Sequence, residues 1–277
     1  MKGMEIMQTN CSSGYAGKPP WIFKGSALYQ FHLVKAEVAR AIIPKEFKLV
    51  ETFGYTAGGF YLANYTESPF GPFNELVTIA GIVRTTRMPT SHAWAASVYV
   101  NNDNACMHGR KEFGIPSQVA TFSKVESQMI HVAENDGPVT TSLYDIRLQP
   151  PILKMNPLKW MALGPTVKMS LPGYSGRTEH VPQLLKYTCQ IECRVKPTSP
   201  ARISGSLGRI DTENEELNEC LKKREMGMSV MLSKPILALE FNCLKMEVHR
   251  PVVVSDHPLE PKQNRQSDTK MATGSNN

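Results

Sequence analysis

The stretch HGRKEFGIPSQVATF, at positions 108–122, is the part of this chain richest in residues that could take part in chemistry. Arg110 could bind a carboxylate through two parallel hydrogen bonds, although a place on an exposed helix surface suits it equally well. Ser117 and Gln118 follow a proline, where two polar side chains could line a pocket. The stretch therefore suggests either a reacting site or the frame of one.

Two carboxylates are also well placed for chemistry. Glu67 ends an apolar run in the motif NYTES, and Glu75 opens the next run after a turn rich in proline and glycine. A carboxylate at the mouth of a strand can face a pocket and act as an acid, a base or a counter-charge. The simpler interpretation is a loop carboxylate in water, and both remain open at this point.

Other reactive signatures are missing from the sequence. It contains no GxSxG elbow, no GxxxxGK[ST] phosphate loop, no GxGxxG fingerprint and no HExxH zinc motif. The seven histidines show no ligand-like spacing, and the six cysteines form no CxxC pair. A net charge of +6 without a basic stripe argues against nucleic acid as a partner. We therefore expect no metal and no cofactor.

The positioning elements follow from periodicity. The alternating run SALYQFHLV and the β-like runs TAGGFYLANYT, ELVTIAGIV and HAWAASVYV predict strands, separated by turn residues. The segment KAEVARAIIP predicts a short helix that stops before its proline. Residues 104–114 predict a second helix, with Asn104 as N-cap and Gly114 as its stop. Residues 149–182 predict loops around short elements, and residues 212–225 a solvated, charged helix or loop.

Many short strands with a few short helices predict an α+β fold, mostly antiparallel β, in one domain closed into a barrel or sandwich. We expect a flexible leader at 1–19, the domain at 20–250 and a disordered tail at 251–277. No apolar run approaches the ~18 residues of a membrane span. The N-terminal residues lack the apolar core of a secretory signal and the arginines of a transit peptide. These features predict a cytoplasmic protein.

The motif GRKEFGIPSQVA, downstream of YTES, resembles the acetoacetate decarboxylase-like superfamily. The segment FHLVKAEVARAIIPKEFKLV is similar to the N-terminal pattern of that family, and the likeness covers roughly residues 20–250. The resemblance implies the fold of those enzymes. It also implies a pocket in which a lysine amine of lowered pKa condenses with a β-keto acid to form an imine; acetoacetate decarboxylase is the standard example of such a lysine.

The residues that this chemistry needs are replaced in this chain. Aligned on Pro116, Ser117 stands where the resemblance implies the imine-forming lysine, and Gln118 stands where it implies the neighbouring lysine. Serine has no amine, and glutamine has no positive charge to lower a pKa. Lys111 lies six residues before Ser117 and is not expected to replace the missing amine. The sequence therefore predicts that this chain is not a Schiff-base decarboxylase.

Among the other site positions that the resemblance implies, only one keeps its residue type in this chain. The resemblance places the family's active-site arginine at Ser26 and one pocket glutamate at Tyr61, whereas Glu67 in YTES keeps its carboxylate. The expected ligand pocket therefore comprises five candidate residues: Tyr61, Glu67, Arg110, Ser117 and Gln118.

The resemblance is strongest to a plant branch of the superfamily, and it implies an accessory, non-catalytic role in neoxanthin accumulation on the way to abscisic acid. The pocket that holds the imine-forming lysine in the superfamily would then bind a small apolar or isoprenoid ligand in this chain. Proteins of the xanthophyll pathway are the expected partners. One alternative is an enzyme of altered chemistry that uses Glu67 as general acid/base on an isoprenoid or keto-type substrate. Another is a scaffold that acts through the loops at 150–185. Because xanthophylls are made in plastids, a plastid location is the alternative to the cytoplasm.

Overall fold

A computed structural model describes most of the chain. The described ranges are 17–85, 90–126, 128–136, 139–149, 164–205 and 215–254. Three α-helices lie within them, α1 (Ala36–Ile42), α2 (Asp103–Phe113) and α3 (Glu215–Met231). None of these described helices is long and apolar enough to cross a membrane. The scaffold that positions the site is therefore built mainly from strands.

The first sheet closes on itself. Its seven closing strands are β1 (Trp21–Lys35), β3 (Tyr55–Glu67), β4 (Phe73–Arg84), β5 (His92–Val100), β10 (Thr166–Gly176), β11 (Leu184–Thr198) and β13 (Lys234–Val248). They follow the order β4-β3-β1-β13-β11-β10-β5, and β5 pairs with β4 again. Every pairing in this ring is antiparallel except the short parallel contact between β5 and β10. The expected mostly antiparallel barrel is confirmed.

Three short strands extend the same sheet. β2 (Lys48–Leu49) pairs with β4, β6 (Ser117–Val119) runs parallel to β5, and β14 (Val252–Val253) pairs with β11. The pairing of β14 continues the sheet two residues into the segment assigned to the tail. Positions 255–277 and 1–16 lie outside the described residues.

A second sheet covers one side of the barrel. Its order is β12-β9-β8-β7, formed by β7 (Thr121–Glu126), β8 (Met129–Asp136), β9 (Val139–Arg147) and β12 (Arg202–Ser204). Barrel side chains pack against this sheet and against the end of α3 in one cluster. The barrel contributes Leu28, Phe60, Leu62, Leu76 and Tyr99, the second sheet Val132, Tyr144 and Ile146, and α3 Met228 and Met231. Strands such as β3 are therefore apolar on both faces because both faces are covered.

The helices differ in detail from the sequence predictions. α1 ends before Pro44 as predicted, and Gly114 ends α2 in the left-handed conformation at φ 59°. The N-cap of α2 is Asn102 rather than Asn104, because the Asn102 side chain accepts a hydrogen bond from the backbone N–H of Ala105 at 3.0 Å.

The charged segment at 212–225 lies largely in α3, in agreement with the helix that was one of its two predicted forms. The helix continues to Met231, and its last turn packs into the core through buried Met228, Val230 and Met231. Residues 166–176 form barrel strand β10 rather than a loop. The scaffold hypothesis for 150–185 falls partly outside the described residues, at 150–163.

Candidate functional site: an apolar cavity inside the barrel

The interior of the barrel contains a cavity of about 380 Å³. Aromatic and aliphatic side chains make up most of its wall, with a few polar groups among them. This volume lies within the range of small-molecule sites in proteins. The cavity is the candidate functional site because it gathers polar groups inside an otherwise apolar space.

Strand register explains which side chains reach the cavity. Directly opposite residues on neighbouring strands share one face of a sheet. Ala27 of β1 pairs with Ala63 of β3, Ala63 with Glu75 of β4, and Glu75 with Val100 of β5. Ala27, Ala63 and Val100 of this row belong to the inner core, and Glu75 is the only carboxylate among the described residues that line the cavity.

Glu75 is held by a tyrosine. The Tyr65 hydroxyl donates a hydrogen bond of 2.9 Å to Oε2 of Glu75. Burial raises the pKa of the Glu75 carboxyl to about 7, and the Tyr65 hydrogen bond opposes this only in part. Glu75 keeps some accessible surface because it faces the cavity. Near neutral pH this carboxyl group can therefore donate or accept a proton.

Tyr61 occupies the next layer of the barrel. It pairs with Tyr29 and Val77, and its side chain is 93% buried, with an exposed fraction of 7%. Among the described residues its hydroxyl makes no hydrogen bond of regular geometry, although Tyr65 lies close enough to influence its pKa. Burial raises the pKa of Tyr61 well above its ordinary value, so the group stays a neutral donor.

Helix α2 closes one end of the cavity. It presents Ala105, His108 and Gly109 to the interior, as expected for residues three and four apart on a helix. The ring of His108 packs edge-on against Trp21 at 4.5 Å and against Phe113 at 5.4 Å between centroids. Burial lowers the pKa of His108 to about 4, so the imidazole is neutral.

The predicted loop residues separate into inward and outward positions. Ser117 is buried and lines the cavity, at the position where the resemblance implies an amine. Gly109 makes this possible, because a Cβ there would lie 2.5 Å from Ser117 Oγ. The next residue, Gln118, pairs with Tyr99 on the opposite face and does not line the cavity. Arg110 is also outside the lining: its Nε donates to the backbone carbonyl of Ser117 at 2.7 Å.

Glu67 lies away from the cavity as well. Its Oε2 is 2.6 Å from Nζ of Lys24, and the two side chains are 67% and 50% exposed. The placement of the pocket carboxylate at Glu67 is therefore corrected to Glu75. Ser26 faces a separate groove between the barrel and the second sheet. Of the five candidate residues, the structure brings only Tyr61 and Ser117 to the cavity.

The sequence named Glu75 as a carboxylate that could face a pocket but did not place it among the five pocket candidates, and it did not select Tyr65 or His108. Glu75, Val77 and Ile79 alternate along β4, and all three line the cavity. A carboxylate in phase with buried aliphatic residues was the available signal for Glu75. Tyr65 and His108 carried no such signal, because buried aromatic and histidine residues are common in any core.

The charge inventory of the cavity limits its chemistry. No lysine or arginine lines it among the described residues, so the site as described offers no side-chain amine for an imine. In the part of the chain that the structure describes, no group of three or more histidine, cysteine, aspartate or glutamate side chains is arranged to hold a metal ion. The available groups are a carboxyl, hydroxyls, a neutral imidazole and the Cys189 thiol, whose pKa burial and nearby Glu75 raise to about 12.

Comparison with known proteins agrees with this architecture. The family model for acetoacetate decarboxylase (ADC) matches residues 4–143. Protein NEOXANTHIN-DEFICIENT 1 of Arabidopsis thaliana is 48% identical over 285 residues, covering 91% of this chain and 99% of the relative. The protein of the same name from Solanum lycopersicum is 48% identical over 292 residues, covering 91% and 98%. The chain belongs to the NEOXANTHIN-DEFICIENT 1 family.

Solved structures support the fold of this family. Acetoacetate decarboxylase from Legionella pneumophila superposes with a TM-score of 0.58 at 15% identity, covering 90% of this chain and 92% of that one. An acetoacetate decarboxylase-like enzyme from Sphingomonas wittichii gives a TM-score of 0.55 at 11% identity, covering 90% and 98%. The chain therefore shares the fold of these acetoacetate decarboxylase-like proteins.

Proposed function

We propose that this chain supports neoxanthin accumulation as an accessory protein that binds a small apolar ligand and does not decarboxylate. The names of its relatives support the connection to neoxanthin. The resemblance implies the further connection to abscisic acid, which is formed from neoxanthin. Proteins of the xanthophyll pathway are the proposed partners, and co-purification from plant tissue tests that part.

One observation carries the binding role. The closed barrel keeps a cavity of about 380 Å³ with a mainly apolar wall, and Ser117 stands in it where a decarboxylase needs an amine. Well-packed protein interiors leave few voids larger than a water molecule. A void of this size inside an aromatic wall favours a bound molecule as its occupant.

Complementation tests the proposal. A plant line deficient in neoxanthin is transformed with the wild-type chain or with Ala95→Phe, which fills the cavity from β5. Val125→Phe, at an exposed position on β7, is the matched control. Neoxanthin content measured by chromatography should recover with the wild type and the control but not with Ala95→Phe. Full recovery with a folded Ala95→Phe protein contradicts the role of the cavity.

The absence of imine chemistry has its own test. The purified protein is incubated with a β-keto acid and borohydride, alongside an acetoacetate decarboxylase as positive control. We expect a mass increase on the decarboxylase and none on this chain. A covalent adduct on this chain would overturn the non-decarboxylase assignment.

A second candidate function is an enzyme of altered chemistry, favoured by the pKa of about 7 at Glu75. In this alternative Glu75, rather than Glu67, acts as general acid/base on an isoprenoid or keto-type substrate. Incubation with violaxanthin should then yield a product whose formation Glu75→Gln abolishes and Glu67→Gln leaves unchanged. Binding without turnover in all three proteins favours the accessory role.

A further inference from the structure

The described wall of the cavity carries one carboxylate and no lysine or arginine. Among the described lining residues the carboxyl of Glu75 is the sole group that can become charged near neutral pH, and no lysine or arginine faces it. His108 is the nearest candidate for a cation, and burial lowers its pKa to about 4. The described wall therefore supplies no positive charge to a bound molecule.

The cavity is deep. Glu75 and His108 lie at the end covered by α2, and Ser91 lines the other end beside Ile82. Phe23, Tyr65 and Phe73 are buried at the covered end, Phe31 and Ile82 at the other end are partly exposed, and so are Phe70 and Ile115 near α2. The lining of β4 runs from Glu75 near the covered end to Ile82 near the exposed end. Seven strand residues with the usual tilt of a barrel correspond to a depth of roughly 15–20 Å.

On the side formed by β4 and β5, the path between these ends is apolar. Val77 and Ile79 lie between Glu75 and Ile82 on β4, and Ala95 and Val98 face them from β5. A ligand that reaches Glu75 must therefore bury an apolar stem along this path. An elongated molecule that enters end-on satisfies the geometry, and an isoprenoid chain with a polar group at its leading end has that form.

Two polar residues of the cavity, Glu75 and Tyr61, can bind the polar end of such a ligand. Glu75 already accepts from Tyr65 and has remaining acceptor capacity on its carboxyl oxygens. Tyr61 is a buried residue that lines the cavity, and its hydroxyl interacts with the Tyr65 side chain without a hydrogen bond of regular geometry among the described residues. A hydroxyl group can accept from Tyr61 and donate to Glu75, and an epoxide or keto oxygen can accept from Tyr61. A ligand carboxylate would instead place a second negative charge beside Glu75 in a poorly solvated space.

We propose that the cavity selects an uncharged isoprenoid that enters end-on, with a hydroxyl, epoxide or keto oxygen at its leading end bound by Tyr61 and Glu75, and that it rejects carboxylic acids. This inference rests on the proposed binding function and adds the ligand class and its orientation. It departs from the β-keto acids that the superfamily resemblance implies, because the cation needed to hold an acid is missing from the described wall. A whole xanthophyll exceeds the cavity volume, so one ring end enters and the rest emerges beside Phe31 and Ile82.

A matched pair of probes tests this selectivity. Retinol and retinoic acid share one isoprenoid skeleton and differ in the end group. Their affinities are measured by fluorescence titration at a pH of about 8.5, for the wild type, Glu75→Gln, Tyr61→Phe and the exposed control Glu67→Gln. We expect retinol to bind the wild type at least about tenfold more tightly than retinoate, equivalent to about 1.4 kcal/mol.

The variants then separate the two polar groups. Glu75→Gln should strengthen retinoate binding and reduce the preference for retinol several-fold, whereas Glu67→Gln should keep the wild-type preference. Tyr61→Phe should weaken retinol binding without strengthening retinoate binding. Thermal melting of each variant shows that it is folded.

The possible failures are distinguishable. Equal binding of the two probes, or tighter binding of retinoate, overturns the selectivity and leaves the binding function standing. If an apolar dye binds the wild type but not Ala95→Phe, and neither retinoid competes with the dye for the wild type, the isoprenoid assignment is wrong. If no dye or retinoid binds, the proposed binding function fails and the inference fails with it.

Discussion

Ionisation of Glu75 should make the stability of this protein fall as the pH rises. The carboxyl has an ordinary pKa of 4.5 when the chain is unfolded and a pKa of about 7 in the folded barrel. Between these values the folded state keeps a proton that the unfolded state has lost, so the free energy of unfolding decreases with increasing pH. Below the unfolded-state pKa, Glu75 is protonated in both states and does not lower the unfolding free energy. Above the folded-state pKa, Glu75 is ionised in both states and its destabilising effect no longer changes with pH.

The size of the effect follows from the same shift. Raising the pKa from 4.5 to about 7 corresponds to roughly 3.4 kcal/mol at most. Because the carboxyl also faces the cavity, solvent there screens part of this cost, and we expect about 2 kcal/mol. Glu75→Gln removes the charge and keeps an oxygen to accept from the Tyr65 hydroxyl. The variant should therefore gain about 2 kcal/mol over the wild type between a pH of about 5 and about 8.5.

Urea unfolding monitored by intrinsic fluorescence measures this gain. The difference in unfolding free energy between Glu75→Gln and the wild type is determined at each pH, so that ionisations common to both proteins cancel. Glu67→Gln is the matched control, because Glu67 is exposed and paired with Lys24. A difference between Glu75→Gln and the wild type that stays constant across this pH range would refute the claim that Glu75 is poorly solvated.

Three further predictions concern packing, a buried hydrogen-bond network and location. Gly109→Ala should lower the unfolding free energy by about 1 kcal/mol, because the new Cβ meets Ser117 Oγ; addition of Ser117→Ala should recover part of the loss in the same urea assay. Gln30→Leu should lower the unfolding free energy by about 2–4 kcal/mol, because the Gln30 side chain forms hydrogen bonds with the N–H and the carbonyl of Ala201 and with His32. A decrease in unfolding free energy below about 0.5 kcal/mol contradicts this. A fluorescent fusion should locate in the cytoplasm, and signal inside plastids would disprove that expectation.

Local patterns were sufficient for most of the secondary structure. Alternation identified β1, because residues two apart on a strand share a face whatever the rest of the chain does, and apolar runs bounded by turn residues identified β3, β4 and β5. The stop of α1 before Pro44 and the left-handed Gly114 at the end of α2 follow from backbone sterics alone. The N-cap of α2 was misplaced, because Asn102 and Asn104 both suit a cap, and only the path of the chain out of β5 selects Asn102.

Segments without a clean period were harder to predict. β10 carries Pro172 and Gly173 within its span, which in the sequence are typical of a loop. It is a strand because pairing with β11 along its whole length supplies its hydrogen bonds. The end of α3 packs into the core through Met228 and Met231, so the charged helix extends beyond the segment at 212–225.

The sequence by itself determined the class of fold and the missing amine, since a serine at position 117 cannot form an imine in any conformation. Only the tertiary structure decided which carboxylate reaches the cavity. Glu67 and Glu75 are both glutamates at the end of a strand, and each looks suitable alone. Closure of the barrel places Glu75 in a row with Ala63 and Val100, whereas Glu67 pairs with Lys24 in solvent. Burial depends on strand register and on what covers each face, and neither property is local to the residue.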